Sequence, residues 1–148
     1  MANLSYKASP ISSTHAASQV SPPSAPLVLI IEDHEDTRFM LRTILELSGL
    51  RVTEAGDGEA GLRAAEEQRP DLVLMDSNLP RMDGLTTTRL IRERESGRNL
   101  PVIIVSGRAD PASQKAAFAA GCDWYLVKPI DFDELDRLLR SCLNLKET

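Results

Sequence analysis

The segment DLVLMD, residues 71–76, is the clearest indication of the fold because it joins four consecutive apolar residues to an aspartate. An apolar run without alternation is typical of a strand that is buried on both faces of a parallel sheet. LVLIIED (27–33), PVIIVS (101–106) and WYLVKP (124–129) repeat the pattern, and a polar or charged residue follows each apolar run. Together with LRVTEA (50–55), these runs predict five strands.

Amphipathic segments separate these strands and predict five helices. They cover residues 36–48, 58–68, 84–95, 111–120 and 131–143. Helices that alternate with buried strands imply right-handed crossovers over a parallel sheet. The sequence therefore predicts an α/β fold with a five-stranded, doubly wound parallel sheet and helices on both of its faces.

The charge balance argues against two classes of partner. The first 26 residues hold one charged side chain, Lys7, so 16 basic and 22 acidic residues follow Pro26. This acidic excess disfavours binding to nucleic acid and to an anionic membrane surface. The sequence shows no apolar run of membrane-spanning length and no secretory signal. We therefore expect a cytoplasmic protein without membrane contact.

Residues 1–26 differ in composition from the rest of the chain. They are rich in serine, alanine and proline and contain almost no large apolar side chains. Such a segment cannot offset the entropy of ordering by burying apolar surface. We predict a flexible tail over residues 1–26, with a tether or partner-binding role as the alternative, and one domain over residues 27–148.

Reactive side chains follow four of the five predicted strands. They are Glu32, Asp33, Asp76, Ser106 and Lys128. In doubly wound sheets, ligands bind beyond the carboxyl ends of the strands, so these groups are expected to meet at one edge. Two carboxylates about 4 Å apart repel by roughly 4 kcal/mol at an effective dielectric constant of about 20.

This repulsion predicts a bound cation, with protonation of one carboxyl group as the alternative. Mg²⁺ suits a few carboxylates and keeps positions open for a phosphate oxygen. With the cation, Lys128 and Ser106 to stabilise the phosphoryl oxygens, Asp76 could attack phosphorus. The residues alone therefore point to phosphoryl transfer that yields an aspartyl phosphate.

The segment GDGEAG, residues 56–61, matches the G-x-G-x-x-G pattern of dinucleotide-binding turns. We interpret it as a structural turn instead. It follows a strand predicted at the edge of the sheet, away from the point where the strand order reverses. A pyrophosphate would also have to approach an edge that carries several carboxylates.

Four motifs resemble the receiver domains of two-component response regulators, and in particular stand-alone members similar to chemotaxis regulators. The motifs are IIED (30–33), LMDSNLPRMDG (74–84), VIIVSGRA (102–109) and AGCDWYLVKP (120–129), and the resemblance extends over residues 27–143. It implies a flavodoxin-like sheet with strand order 2-1-3-4-5.

The resemblance also assigns roles to individual residues. The implied roles are phosphoacceptor for Asp76; metal ligands from Glu32, Asp33, Asp76 and the backbone carbonyl of Asn78; catalytic support from Lys128 and Ser106; switching by Ser106 and Tyr125; a small residue, Gly107, beside the phosphoryl group; and a cis peptide bond at Pro129. Mg²⁺ is the implied cofactor.

The mechanism implied by the resemblance is a phosphorylation switch. A sensor histidine kinase or a phosphotransfer protein donates the phosphoryl group to Asp76. The surface of the fourth helix, fifth strand and fifth helix then changes its affinity for a downstream protein, and homodimerisation through that face is one option. Such a protein is not an enzyme, apart from catalysing its own phosphorylation and dephosphorylation.

Several residues depart from the common pattern of the family. Glu32 stands where aspartate is commoner, and Ile130 where an aromatic residue often follows the proline; neither change removes a chemical role. Asn78 and Arg108 occupy positions that tune the lifetime of the phosphate in the family. For His34 we favour a solvent-facing position, with contact to the metal or to a partner as the alternative.

Other functions remain as alternatives. One is an interaction module that works without phosphorylation, and another is the receiver part of a hybrid histidine kinase; we expect a stand-alone receiver because few residues follow the fifth helix. A phosphatase that forms an aspartyl phosphate would need an acid two residues beyond its nucleophile, where this chain has Asn78. Transcription control by DNA binding is disfavoured by the acidic balance.

Overall fold

Strands and helices alternate along residues 24–145, the part of the chain that the structure, a computed structural model, describes. The tail predicted for residues 1–26 lies outside this range except for its last three residues, so the division at residue 26 stays a prediction. The strands are β1 (Leu27–Ile31), β2 (Arg51–Ala55), β3 (Leu72–Asp76), β4 (Val102–Ser106) and β5 (Trp124–Val127). The α-helices are α1 (Glu35–Leu47), α2 (Gly58–Gln68), α3 (Gly84–Glu93), α4 (Pro111–Ala120) and α5 (Phe132–Leu143).

All five strands are parallel and form one sheet in the order β2-β1-β3-β4-β5, which confirms the predicted topology. β1 pairs with β2 on one side and with β3 on the other, so the direction in which strands are added reverses after β2. The switch point of the sheet therefore lies between β1 and β3. There Ile31 pairs with Met75, so the residues that follow these two positions emerge side by side.

The apolar side chains of the strands enter two cores, one on each face of the sheet. On one face they pack against α2, α3 and α4, with Ala64, Ile91 and Ala117 fully or almost fully buried. On the other face they pack against α1 and α5, through Leu45 and Leu135. Burial on both faces explains why the strands show no alternation in the sequence.

Aspartates fix the starts of four helices. The carboxylates of Asp57, Asp83, Asp110 and Asp131 accept hydrogen bonds from backbone N–H groups in the first turns of α2, α3, α4 and α5. Each bond satisfies an N–H that has no partner within the helix. α1 is the exception among the five helices of residues 24–145, because the side chain of its N-cap residue, His34, makes no capping bond.

GDGEAG lies at the turn between β2 and α2, and two of its glycines, Gly58 and Gly61, also serve packing. β2 is an edge strand, and α2 starts immediately after it. A Cβ atom on Gly61 would lie 2.4 Å from Cδ1 of Ile31, and one on Gly58 would lie 2.4 Å from Oγ1 of Thr87. The glycines therefore allow α2 to approach β1 and α3 closely.

The third helix is shorter than predicted. It ends at Glu93 instead of Glu95, and a single 3₁₀ turn, Glu95–Gly97, follows it. The guanidinium group of Arg92 donates to the backbone carbonyls of Gly97, Leu100 and Gly121, which holds the following segment back against the helix. These are tertiary bonds, so the helical periodicity of the sequence contains no sign of them.

Three consecutive threonines, residues 86–88, lie in α3, and two of them are core residues. The side chains of Thr87 and Thr88 are fully buried. Their hydroxyl groups donate to the backbone carbonyls of Asp83 and Gly84, four residues earlier, at 2.8 and 2.7 Å. These bonds explain how polar side chains are accommodated there.

No helix between residues 24 and 145 has the length and apolar character needed to cross a membrane.

The packing role of Gly61 can be tested by substitution. Gly61→Ala should lower the free energy of unfolding by about 1–3 kcal/mol, because Ile31 is fully buried and must move. The loss should appear even though alanine is the better helix former. Urea denaturation measures the change.

Gly56→Ala in the same segment is the matched control. The nearest atom to its new Cβ would be the guanidinium Nη1 of Arg38 at 3.4 Å, an ordinary contact. The free energy of unfolding should change by less than about 0.5 kcal/mol. Equal stability of both variants and the parent would refute the packing role of Gly61.

Candidate functional site

Three carboxylates meet at the switch point of the sheet. Glu32 and Asp33 follow β1, and Asp76 is the last residue of β3. Glu32 and Asp76 are 3% and 4% exposed. One ligand atom from each of the three, together with a ring nitrogen of His34, lies within 4.8 Å of the others. The structure therefore brings together the acidic residues that the sequence predicts as metal ligands.

The acidic cluster lacks enough hydrogen-bond donors. Oδ1 of Asp33 is buried and accepts no hydrogen bond from any residue between 24 and 145. Burial raises the pKa of Glu32, and the charge of Asp76 raises it further, while hydrogen bonds from His34 act in the opposite direction. A set of hard oxygen atoms, one of them without a donor, fits a small divalent cation.

Two donors reach the same oxygen of Asp76. Nζ of Lys128 lies 3.1 Å from Oδ1, and the backbone N–H of Asn78 donates to that oxygen at 3.2 Å. Oδ2 accepts no hydrogen bond from the described part of the chain. One carboxylate oxygen is thus held in place while the other is available for chemistry.

Lys128 is positioned by the end of β5. Its backbone N–H donates to the carbonyl of Ser106 at 2.8 Å, which extends the pairing of β4 with β5 by one bond. The Lys128–Pro129 peptide bond is cis, as the resemblance implies for Pro129. The lysine therefore enters the site from the strand two places away from β3.

Ser106 and Tyr125 both contact the backbone of Arg108. The hydroxyl oxygen of Ser106, which is buried, accepts a hydrogen bond from the N–H of Arg108 at 3.1 Å. The hydroxyl group of Tyr125 donates to the carbonyl of Arg108 at 2.7 Å. The loop after β4 thus connects the two residues for which a switching role is predicted.

A cavity of about 480 Å³ lies beside these two residues. Ten residues line it: five that the sequence already indicates for the site, four that it does not, and the helix cap Asp83. The expected ones are Asn78, Ser106, Gly107, Arg108 and Tyr125, and the new ones are Ser77, Leu85, Ser113 and Ala116, joined by the helix cap Asp83. Ser77 directly follows β3, and Leu85 and Ser113 lie in the first turns of α3 and α4. Their position on the carboxyl edge of the sheet is the signal that could have identified them.

His34 is exposed and also touches the acidic cluster. Its side chain is 71% exposed, as expected for a solvent-facing residue. Nδ1 nevertheless lies 3.1 Å from Oε2 of Glu32 and 3.3 Å from Oδ1 of Asp33. The hydrogen bond to Glu32, followed by the charge of Asp33, raises the pKa of His34. The solvent-facing position is therefore observed, and contact of His34 with a metal ion or a partner stays a prediction.

Residues 28–140 match the protein family described as the response regulator receiver domain. The KDP operon transcriptional regulatory protein KdpE of Escherichia coli is 41% identical over 116 residues, which cover 78% of this chain and 50% of KdpE. The polar-differentiation response regulator DivK of Brucella anthropi is 34% identical over 116 residues, which cover 78% of this chain and 94% of DivK. The chain thus spans half the length of one relative and nearly all of the other.

Solved structures with the same fold are receiver domains as well. The receiver domain of a sensor histidine kinase from Pseudomonas aeruginosa, solved with a magnesium ion in its active-site cleft, is 36% identical with a TM-score of 0.76. That match covers 82% of this chain and 99% of the other. Chemotaxis protein CheY4 of Vibrio cholerae is 26% identical with a TM-score of 0.76, over 80% of this chain and 99% of the other.

The acidic cluster predicts a stability that depends on Mg²⁺. At ten times its dissociation constant, Mg²⁺ should raise the free energy of unfolding of the parent protein by about 1.4 kcal/mol. Asp33→Asn should lose most of this gain. Without Mg²⁺ the variant should be more stable than the parent by about 1 kcal/mol, because it removes one of three repelling charges.

Thermal or chemical denaturation with and without Mg²⁺ measures both effects. Glu46→Gln is the matched control, since it removes one negative charge from an exposed position on α1. This control should keep the full response to Mg²⁺. A response that is as large in Asp33→Asn as in the parent would contradict metal binding by the acidic cluster.

Proposed function

Because the chain belongs to the response regulator receiver domain family of two-component signalling, we propose that Asp76 is its phosphoacceptor. The donor is a phosphohistidine, carried by a sensor histidine kinase or by a phosphotransfer protein. The main support for this proposal is the burial and hydrogen bonding of the Asp76 carboxylate. It is buried at the end of β3, Lys128 and Asn78 hold one of its oxygens, and the other has no hydrogen bond within residues 24–145.

The free oxygen, Oδ2, is the nucleophile. Its lone pair forms the new P–O bond as the P–N bond to the donor histidine breaks. The electron pair of that bond returns to the imidazole nitrogen, which takes a proton from solvent. The products are an aspartyl phosphate and a neutral histidine, so charge and protons balance. Lys128, already paired with Oδ1, is the residue placed to stabilise the phosphoryl oxygens.

Mg²⁺ is the cofactor that the acidic cluster fits. Glu32, Asp33 and Asp76 would hold it through carboxylate oxygens, and Asn78 through its backbone carbonyl. Oδ1 of Asp33, which is buried and accepts no hydrogen bond within residues 24–145, supports this ligand set, as does the magnesium ion in the relative from Pseudomonas aeruginosa. When bound, the ion offsets the charge that the carboxylates and the phosphoryl oxygens bring together.

Ser106 and Tyr125 convert phosphorylation into a change of shape. Before phosphorylation, Ser106 accepts a bond from the Arg108 N–H, and Tyr125 donates to the Arg108 carbonyl. A phosphoryl group on Asp76 gives the hydroxyl hydrogen of Ser106 a strong acceptor, and movement of Ser106 pulls on the loop that holds Tyr125. The adjoining cavity has room for the tyrosine ring to turn inward. Phosphorylation thereby biases a two-state equilibrium.

The output is a change in partner binding on the surface formed by α4, β5 and α5. Phe118 on α4 and Trp124 on β5 are large, partly exposed apolar residues of this surface. The partner is a downstream protein, and a second copy of the chain is the other occupant to be tested. An interaction module without phosphorylation would not need the full set of Glu32, Asp76 and Lys128, so no observation favours that alternative.

Phosphorylation of Asp76 can be measured directly. Incubation with Mg²⁺ and a small phosphodonor such as acetyl phosphate should add one base-labile phosphoryl group, detected by intact mass. Asp76→Asn should show no adduct, because an amide cannot serve as the nucleophile. Asp133→Asn, on the exposed side of α5, is the control and should behave as the parent does. An adduct that persists in Asp76→Asn would disprove the assignment.

The switch can be followed through Trp124, which is the only tryptophan of the sequence and precedes Tyr125. Phosphorylation of the parent should change the fluorescence of Trp124 as Tyr125 turns. Ser106→Ala should still take up the phosphoryl group but lose most of this optical change, because it lacks the hydroxyl that couples the two events. Ser141→Ala, an exposed position on α5, is the matched control. A full optical change in Ser106→Ala would show that Ser106 does not transmit the signal.

A further inference from the structure

His34 holds the N-cap position of α1 but does not act as a cap. The other four helices of residues 24–145 all start with an aspartate whose carboxylate binds the backbone of the first turn. The imidazole ring of His34 turns the other way, toward the carboxylates that follow β1. Helix capping therefore does not explain why a histidine stands at this position.

The ring nitrogen of His34 lies beside the carboxylate oxygens of the acidic cluster, where it hydrogen-bonds to Glu32, a bond that it would exchange for one to a metal ion. Nδ1 is 3.1 Å from Oε2 of Glu32 and 3.3 Å from Oδ1 of Asp33. Adjacent ligands of an octahedral ion with bonds of about 2.1 Å lie about 3.0 Å apart. The carboxylate of Asp76 completes a group of four ligand atoms within 4.8 Å of one another. The donor set of this cleft is therefore three carboxylates and one imidazole.

An imidazole nitrogen changes which ions a site prefers. Mg²⁺ is a hard ion that selects oxygen ligands and gains little from nitrogen. Co²⁺, Ni²⁺ and Zn²⁺ bind imidazole well, and for a given site their affinity rises along the first transition row up to copper. The difference in affinity between transition metals and Mg²⁺ should therefore be larger in a cleft that contains His34 than in one with oxygen ligands alone.

We propose that His34 is a conditional metal ligand: Nδ1 binds the cleft ion when that ion is a nitrogen-binding divalent transition metal, and stays unbound when the ion is Mg²⁺. The proposal rests on the proposed function only in using the same metal cleft. Because both kinds of ion share the carboxylates of Glu32, Asp33 and Asp76, they compete for one site. The chain would thus bind transition metals at the position where phosphorylation needs Mg²⁺.

The test compares two ions on the same variants. Tag-free protein is titrated with Co²⁺, followed by its visible absorption, and with Mg²⁺, followed by calorimetry. His34→Gln should weaken Co²⁺ binding at least about tenfold and change Mg²⁺ binding less than about twofold. The Co²⁺ absorption bands should also shift, because a nitrogen ligand is replaced by an oxygen ligand.

Two variants complete the experiment. Asp33→Asn should weaken the binding of both ions, which places both in the cleft. His15→Gln removes the only other histidine of the sequence and should leave both affinities unchanged. The proposal is overturned if His34→Gln weakens both ions equally or neither, if His15→Gln reproduces the loss, or if Asp33→Asn binds Co²⁺ as the parent does. Phosphorylation of Asp76 in the parent by acetyl phosphate, with Mg²⁺ as the only metal, tests the proposed function separately. The metal-ligand role of His34 and the proposed function can therefore fail independently.

Discussion

Three carboxylates repel one another at the switch point of the sheet, and the surrounding structure must hold them there against this repulsion. The pairing of Ile31 with Met75 places the carboxyl ends of β1 and β3 side by side. Glu32 and Asp76 are almost fully buried there, and an oxygen of Asp33 has no donor within residues 24–145. Burial strengthens the repulsion because less water screens it. Compensating positive charge stabilises the arrangement, and Lys128 supplies part of it.

The surrounding fold keeps the carboxylates in place. Gly84 begins α3 so close to β3 that a Cβ atom there would lie 2.6 Å from the backbone oxygen of Asp76. Its N–H donates to the carbonyl of Ser77, which ties the start of the helix to the loop after the strand. The glycine is therefore required by the distance between two backbones. Rigid support of this kind allows a cluster of like charges to exist without spreading apart.

Much of this architecture follows from the sequence because the relevant signals are local. Unbroken apolar runs identify strands buried on both faces, and the residue after each run is carried to the carboxyl edge by the topology. Asp76 and Lys128, 52 positions apart, could be expected near each other for that reason alone. The end of α3 could not be predicted, since the bonds of Arg92 to Gly97, Leu100 and Gly121 are tertiary. The contacts of His34 with Glu32 and Asp33 depend on the direction of one side chain, which the sequence does not encode locally.

The acidic cluster is expected to bind one divalent cation. A crystal structure grown with Mn²⁺, which serves as an anomalous scatterer in place of Mg²⁺, tests it most directly. We expect one anomalous peak between β1 and β3, bonded to carboxylate oxygens of Glu32, Asp33 and Asp76. An anomalous map with no peak in this cleft, or with Mn²⁺ bound only elsewhere on the protein, would contradict it.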